Sequence, residues 1–500
     1  MSNRTRVTGM YSGLDTEGLI SQLMEAKKKK VDIVKKDQMS IKYKQDAWGE
    51  LNKKVKSLFS NVGSLRFESS FMKKKTESSD NSVATVVASD NAMVSTQKLK
   101  VKELAQNAYL TGAELRFPEG ADIEEGEKIT SGTLLSDLGI SGDVTIKVGN
   151  GETETIDTTD MTVGSLVSKL SQKGVDAKFD VNTQRIFIGA KKDGAAGDFE
   201  IGGSAANALG LTEGAGAKKI EGKQGTIELN GVEFHSDNNV YDINGMTITA
   251  KKETADDEEV VLNTTKDTSA IYDMVKKFIT DYTSLMNEMD KLYNATSTTK
   301  YKPLTDEEKA AMSDYEVEKW EDKLKELALA KDDSISNVSS AMREIMNQGF
   351  TVGDKTMYLF DFGIEAQNYT EASENEKHAL HIKGDADDTV FAAEDNTLKY
   401  MINTDPDAVT EFFTKLSKEL YSKMDKMSAR ENGVRSYGSF FDDVKLKSDY
   451  SDYKSKIDDM ELKLSQYEDK WYDKFAKMES AMAKMQSNQN AISSLIGGGQ

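Results

Sequence analysis

The sequence contains no cysteine, and only three prolines and three histidines among its 500 residues. Without cysteine the chain can form no disulfide, zinc–thiolate site, iron–sulfur cluster or cysteine nucleophile. So few prolines permit long uninterrupted helices. No run approaches the roughly 18 apolar residues of a membrane span, and the first twenty residues hold no apolar core of the kind that a secretory signal needs. We therefore expect no membrane insertion. If the protein is exported, we expect export without a cleaved signal peptide.

The charge of the chain is acidic but unevenly distributed. The net charge is −20, yet residues 1–75 hold 17 Lys and Arg against eight Asp and Glu, which gives this segment about +9 and the remainder about −29. An acidic protein is a poor partner for nucleic acid. The basic segment is either a solvated helix face or a surface that binds an acidic partner.

Both ends of the chain have the apolar spacing of helices that pack on other helices. Near the N-terminus, residues three and four apart form such a series, namely Trp48, Leu51, Val55, Leu58, Val62 and Leu65. The same register extends back to Ile41, Val34, Leu23 and Ile20, but it also includes Lys27, Lys30, Asp37 and Lys44. The first helix therefore has a polar middle portion and a clean apolar face after Trp48.

The C-terminal region repeats this pattern with residues seven apart, namely Tyr450, Ile457, Leu464, Trp471, Met478, Met485 and Ile492. A heptad pattern of this length predicts one long packing helix, which alone would be only marginally stable. Two arrangements would cover the apolar faces of both terminal helices. The terminal helices pair with each other in one stalk, or their tips stay partly loose and pack into neighbouring subunits.

The middle of the chain is rich in strand signals. Strands are predicted between Ser78 and Lys102, and hairpins at Asn150-Gly151, Asn230-Gly231 and Asn244-Gly245. A short helix ending at Gly174 lies among them. The Gly-rich stretch 189–216 is predicted to be a loop. The helical period returns after Thr264, with a capping box at Thr305–Glu308, a helix opening at Asp405-Pro406, and a small strand-containing insert between them.

The sequence contains no specific pattern of catalytic or metal-binding groups. His378 and His381 would point to opposite faces of a strand, and no third ligand has a useful spacing. The "GDADD" stretch at Gly384–Asp388 lacks the later residues of a calcium loop and is predicted to be an acidic turn. No phosphate-binding loop or nucleophile motif is present. We expect no cofactor, no metal and no enzyme activity.

Several stretches resemble the bacterial flagellar filament cap family, also called hook-associated protein 2. They are "SGLDTEGLISQLMEA" with Asp46-Ala47-Trp48 and Glu50-Leu51-Asn52, then "FGIEA" followed by Asp405-Pro406-Asp407-Ala408-Val409, and the C-terminal "YEDKWYDKFAKMESAMAKMQSNQN". The stretches "TLLSDLGI" and "ANALGLT" are similar to the flagellin-type repeat of that family. The four consecutive lysines Lys27–Lys30 depart from the family pattern.

The resemblance implies a multidomain α+β protein with helical coiled-coil legs from both termini, a helical bundle and inserted β-rich head domains. The expected division is 1–45 for the N-terminal leg helix, 46–75 with 267–440 for the bundle, 76–125 with 222–266 for one head domain, 126–221 for the outer head domain, and 441–500 for the C-terminal leg.

The resemblance also implies a location and partners. The protein would pass unfolded through the flagellar export channel, form a ring-like homo-oligomer at the filament tip, and hold each arriving flagellin until it folds. Its other partners would be hook-associated junction proteins and an export chaperone bound to the C-terminus. A hook–filament junction protein or adhesin is the alternative, and a hydrolase carried on the flagellum is a further one.

The residues expected to contact other subunits or the filament belong to the two terminal helices. They are Leu14, Leu19, Ile20, Leu23, Met24, Trp48, Leu51, Tyr450, Ile457, Leu464, Trp471, Met478, Met485 and Ile492.

Overall fold

The computed structural model describes residues 13–497 except 122, 123, 125, 256 and 297–299. The first twelve residues of the predicted leg segment 1–45 thus lie outside the described residues. Contacts divide the described chain into two units. Unit 1 contains the described residues of Met1–Phe71 and Ser269–Gln500, and unit 2 contains those of Met72–Thr268.

Helices are numbered along the chain. They are α1 (Thr16–Leu65), α2 (Val163–Gln172), α3 (Ser204–Ala208), α4 (Thr268–Asn294), α5 (Asp306–Ala310), α6 (Asp314–Leu327), α7 (Asp333–Met346), α8 (Thr397–Thr404), α9 (Pro406–Met427) and α10 (Asp443–Gly497). Short 3-10 helices cover Glu68–Phe71, Ser136–Leu138, Gly194–Gly197, Glu213–Ala215 and Leu359–Phe362.

Unit 1 is a helical bundle from which the ends of two long helices continue. α1 has 50 residues and α10 has 55, and neither sequence contains proline. The core of the bundle lies between α1, α4, α7 and α9. Its largest fully buried side chains include Trp48, Phe278, Tyr282, Phe412 and Phe413. The apolar series from Trp48 to Leu65 faces this core, so one helix serves both as a bundle member and as a terminal helix.

The predicted capping signals of unit 1 are confirmed. The Thr305 hydroxyl accepts a hydrogen bond from the N–H of Glu308, the Glu308 carboxylate accepts one from the N–H of Thr305, and α5 begins at Asp306. α9 begins at Pro406 with Asp405 as its cap. The small insert has two hairpins, formed by β16 (Phe350–Val352) with β17 (Lys355–Met357) and by β18 (Ile364–Ala366) with β19 (Leu380–Ile382).

Unit 2 holds the remaining strands. They are β1 (Lys74–Ser78), β2 (Ala84–Ala88), β3 (Ser95–Glu103), β4 (Tyr109–Thr111), β5 (Asp143–Val148), β6 (Glu154–Asp157), β7 (Val175–Asp180), β8 (Arg185–Ala190), β9 (Phe199–Gly202), β10 (Lys218–Ile220), β11 (Gly225–Leu229), β12 (Val232–Ser236), β13 (Val240–Ile243), β14 (Met246–Ala250) and β15 (Val260–Lys266).

These strands enclose two separate cores. Sheets β1-β15-β3-β11-β12 and β13-β14-β2 enclose one core, which includes Leu99, Ile227 and Ile248. Sheets β10-β4-β8-β7 and β6-β5-β9, with α2 and α3, enclose the other core. Ala108, Leu110 and Leu115 pack in this second core, although the expected division places them with the strands of the first core.

The turn chemistry explains the hairpins. The φ angles are positive at both residues of each turn, with 51° at Asn230 and 85° at Gly231, and 49° at Asn244 and 78° at Gly245. Tight turns between twisted strands require such angles. Both predicted hairpins are confirmed by the pairing of β11 with β12 and of β13 with β14.

The hairpin of β5 and β6 also forms, but the residue with positive φ is Gly149 rather than Asn150 or Gly151.

The prediction of a loop over 189–216 is wrong. This stretch includes the end of β8, all of β9 and all of α3. Phe199, Ala205, Ala206 and Leu209 in it are fully or almost fully buried. The glycines concealed this short amphipathic pattern, because they are spread within and between several short elements rather than along one continuous loop.

Candidate functional site

The candidate site lies on the two terminal helices and begins with the cap of α1. The side chain of Asp15 accepts a hydrogen bond from the N–H of Gly18 at 2.8 Å. Aspartate is favoured at this position because it satisfies a backbone donor that the helix cannot. The "SGLDTEG" stretch is therefore a helix start, and it places Leu14 beside the first turn.

α1 and α10 pack in antiparallel orientation. Gln45 Nε2 donates to the carbonyl of Leu446 at 2.8 Å, whereas Gln38, earlier in α1, donates to the carbonyl of Tyr450 at 3.3 Å. Val31, Val34 and Ile457 are buried between the helices, and Tyr453, Met460 and Leu464 pack against them. Pairing within one chain, one of the two arrangements left open by the sequence, is thus present along this part of the helices.

The face of α10 that continues past Leu464 is aromatic. The ring centroids of Tyr467 and Trp471 are 6.1 Å apart, and those of Trp471 and Phe475 are 6.0 Å apart. Lys27 of α1 places its ammonium group 4.2 Å from the centroid of Tyr467, a cation–π contact. The indole N–H of Trp471 is shielded and has no hydrogen-bond partner within the described residues. A donor buried in this way lowers stability.

The predicted interface residues fall into three groups. Ile20, Trp48, Leu51 and Ile457 are buried inside the chain. Half-buried side chains are those of Met24, Tyr450, Leu464, Trp471 and Met478. Leu14, Leu19, Leu23, Met485 and Ile492 are exposed, by 46%, 40%, 40%, 71% and 56%.

The exposed residues are grouped on helix faces. Leu19 and Leu23 are one turn apart and therefore share a face of α1. Met485 and Ile492 are seven residues apart and share a face of α10, where Met482 is also 36% exposed. Exposed apolar side chains that share a helix face form a patch rather than single scattered residues. We call these five predicted residues together with Met482 the tip surface.

Lysines attach the other side of α1 to the bundle. Lys28 forms an ion pair with Glu307, Lys36 pairs with Glu308 at 2.6 Å, and Lys44 pairs with Asp332 at 2.6 Å. The hydrogen bond to Glu307 raises the pKa of Lys28. Burial raises the pKa of Glu308, but hydrogen bonds from Lys36 and Thr305 outweigh it, so the pKa is lowered overall.

These acidic partners were not identified from the sequence. The capping box at Thr305–Glu308 was visible as a helix start, but nothing in the spacing indicated that Lys36 would reach Glu308. Asp332 caps α7 by accepting from the N–H groups of Ser334 and Ile335, a role that its place before a helical period could have suggested. Its pairing with Lys44 depends on tertiary packing.

The two histidines of the insert are each hydrogen-bonded within the bundle. His378 Nδ1 lies 2.6 Å from a carboxylate oxygen of Asp290, and His381 Nδ1 lies 3.0 Å from one of Asp388. Lys276 pairs with both Asp385 and Asp387 at 2.7 Å, so part of the "GDADD" turn binds a lysine. Within the described residues no cluster of three metal-ligating side chains occurs.

No helix in the described part of the chain combines the length and the apolar character needed to cross a bilayer.

Comparison with protein families gives two matches that cover most of the chain. The model of the flagellar hook-associated protein 2 C-terminus matches residues 222–487, and the model of its N-terminus matches residues 12–108. The flagellar hook-associated protein 2 of Halalkalibacterium halodurans is 23% identical over 95% of this chain and 97% of its own. The A-type protein of Pseudomonas aeruginosa is 26% identical over 73% of this chain and 75% of its own.

Among solved structures, the flagellar cap protein FliD D1-D2-D3 domains from Escherichia coli are similar to this chain. The TM-score is 0.48 and the identity 18%, with 76% of this chain and 96% of that one covered.

Proposed function

The chain belongs to the flagellar hook-associated protein 2 family, and from this premise we propose that it caps the flagellar filament. Copies of the chain assemble into a ring at the filament tip, hold exported flagellin until it folds, and prevent its loss. This role requires binding and release but no covalent chemistry. The observation that carries the proposal is the tip surface, a group of apolar side chains left exposed at one end of a long helix pair.

The tip surface supports the assembly role for a physical reason. Covering an apolar side chain contributes roughly 25 cal/mol for each Å² removed from water, and Met485 and Ile492 are mostly exposed in the single chain. A second copy or a filament subunit would supply the missing cover. We propose that Leu14, Leu19, Leu23, Met485 and Ile492 make these contacts. The buried residues Trp48 and Leu51 would act indirectly, by holding α1 in the bundle.

The proposal includes the finer points that the family resemblance suggested. We propose the five-part division into legs, bundle and heads. We also propose export through the flagellar channel without a cleaved signal, and contacts with junction proteins and an export chaperone. The absence of cysteine supports transport as an unfolded chain, since no disulfide can form in transit.

The experiment replaces Leu19 and Leu23 together by Glu in a strain that lacks its own copy of this protein. Both side chains are 40% exposed, so the variant should fold with unchanged circular dichroism and melting temperature. We expect short or absent filaments and flagellin lost to the medium, because charges at an apolar contact must be desolvated.

The matched control is Leu462→Glu, which is 58% exposed and lies on the opposite face of α10 from Met485. It should support filaments of normal length. Immunogold labelling of the wild-type protein should mark the filament tip. Labelling along the filament, or full filament growth with the Leu19 and Leu23 variant, would disprove the capping role of this surface.

A further inference from the structure

The four consecutive lysines of α1 have different surroundings. Lys28 pairs with Glu307, and Lys29 pairs with Glu25 at 2.7 Å one turn earlier in the same helix. Lys27 lies on the ring of Tyr467. The side chain of Lys30 forms no ion pair or hydrogen bond with a described residue. Two of the four charges are therefore neutralised by carboxylates inside the chain, and two are not.

The two remaining lysines line a cavity between the terminal helices. The cavity has a volume of about 160 Å³, and its other lining residues are Val31, Met460, Lys463 and Leu464. Lys463, like Lys30, forms no ion pair or hydrogen bond with a described residue. Three lysines thus line the cavity beside Val31, Met460 and Leu464, and none of the described lining residues carries a carboxylate.

Three positive charges at one cavity favour an anion as its occupant. Lysines that share a cavity repel each other, and this repulsion is stronger beside an apolar wall than in bulk water. Elsewhere along α1, Lys35, Lys36 and Lys44 each face a carboxylate at 2.6 Å. The lysines of the cavity, by contrast, have no ion pair with any described residue. A carboxylate entering it would form charge-assisted hydrogen bonds with the ammonium groups.

A segment of matching charge is exposed on the same chain. The loop between β18 and β19 contains Glu371, Glu374 and Glu376, which are all exposed and make no ion pair with a described residue. The lysine of this loop, Lys377, lies against the ring of Tyr369 at 4.4 Å. The loop therefore presents three carboxylates to solvent, as the cavity presents three ammonium groups.

We propose that the cavity formed by Lys27, Lys30 and Lys463 binds the Glu371–Glu376 loop of a second copy of this chain. The contact joins two different surfaces, so it is head-to-tail and can repeat around a ring. The net charge of −20 favours this occupant, because copies of an acidic chain repel each other unless basic and acidic surfaces meet. The inference rests on the self-association included in the proposed function, and it names a contact separate from the tip surface.

The test is a charge exchange in the full-length chain. One variant carries Lys27→Glu with Lys30→Glu, a second carries Glu371→Lys with Glu374→Lys, and a third carries all four changes. The first variant should keep its helix pair, because Val31, Val34 and Ile457 stay buried between α1 and α10. Lys53→Glu with Lys56→Glu is the matched control, since it makes the same charge change on the exposed surface of α1. Self-association is measured by sedimentation velocity at about 50 mM and 500 mM NaCl.

We expect each of the first two variants to weaken association at least about tenfold at low salt. The third variant should regain wild-type association, the control should resemble the wild type, and high salt should weaken wild-type association because it screens these charges. Loss in both variants without recovery in the third would overturn the pairing of these two surfaces, as would wild-type association by the first variant. If the first variant associates like the wild type and still caps filaments, the charge pairing is wrong but the proposed function stands. Failure of the wild type to cap filaments would reject the proposed function itself.

Discussion

The indole ring of Trp48 stacks on the phenyl ring of Phe441, with centroids 5.1 Å apart and ring planes 6° from parallel. Trp48 is in the middle of α1, and Phe441 is two residues before α10 begins. The contact therefore lies where the C-terminal helix leaves the bundle and meets α1. Both side chains are buried, so the geometry of the helix pair depends on packing in the bundle core as well as on the apolar contacts between α1 and α10.

Replacing Trp48 by Ala should destabilise unit 1 by roughly 3–5 kcal/mol, the usual cost of deleting a buried aromatic side chain. In urea unfolding followed by circular dichroism, the helical transition should move to lower denaturant while the strands of unit 2 unfold as in the wild type. Tyr437→Ala, at a position 71% exposed, is the control and should change stability little. A Trp48 variant as stable as this control would mean that the stack does not hold the helices.

Asp388 should make the insert of unit 1 sensitive to acid. Burial raises the pKa of its carboxyl, but hydrogen bonds from the N–H groups of Phe391 and Val390 and the adjacent His381 outweigh burial and hold it below the ordinary value of 3.8. The unfolded chain then binds this proton more tightly than the folded one. The stabilisation is complete above the ordinary value and is lost as pH falls through the lower folded value.

The variant Asp388→Asn should therefore lower the free energy of unfolding at neutral pH by about 1 kcal/mol and lose less stability than the wild type below about pH 4. Urea unfolding at a series of pH values measures both effects. Asp354→Asn, at an exposed position in the turn between β16 and β17, is the control. Equal acid sensitivity in the wild type and Asp388→Asn would exclude this carboxylate as a contributor.

Gly194 should be intolerant of any side chain. Its φ angle is +62°, and a Cβ atom there would lie 2.6 Å from the Cα of Asp237. Gly194→Ala should destabilise unit 2 by roughly 1–3 kcal/mol through strain and displacement of backbone. Gly214→Ala is the matched control, because a Cβ there meets nothing within 4 Å. A melting temperature equally unchanged in both variants would contradict the prediction.

Glu308 should contribute to stability in two separable ways. Its side chain caps α5 through the N–H of Thr305 at 2.8 Å and pairs with Lys36 at 2.6 Å. Glu308→Gln can keep the capping hydrogen bond and should cost less than about 1 kcal/mol, as expected for a partly exposed ion pair. Glu308→Ala loses both and should cost about 1 kcal/mol more. Thermal unfolding of the two variants tests this order, and equal losses would assign the effect to the charge alone.

Local signals in the sequence identified most elements but not all. The helices, the Asn-Gly hairpins and the capping box followed from spacing and turn chemistry that act over a few residues. The loop expected over 189–216 was wrong, because α3 has only five residues and its alanines acquire meaning only when the second core of unit 2 covers them. The partners of the lysines were likewise invisible, since ion pairs such as that of Lys44 with Asp332 join residues far apart in the chain.

The sequence by itself determined that a long helix lies towards each end of the chain, which face of each helix is apolar, and that no cysteine chemistry is possible. These properties depend on composition and on the spacing of apolar residues along a single helix. The tertiary structure decided that Val31 and Val34 meet Ile457, that Trp48 is buried, and that Leu19, Leu23, Met485 and Ile492 stay exposed. Periodicity specifies the face that a helix will bury but not the partner that buries it, because the partner depends on contacts between distant residues that only the complete fold brings together.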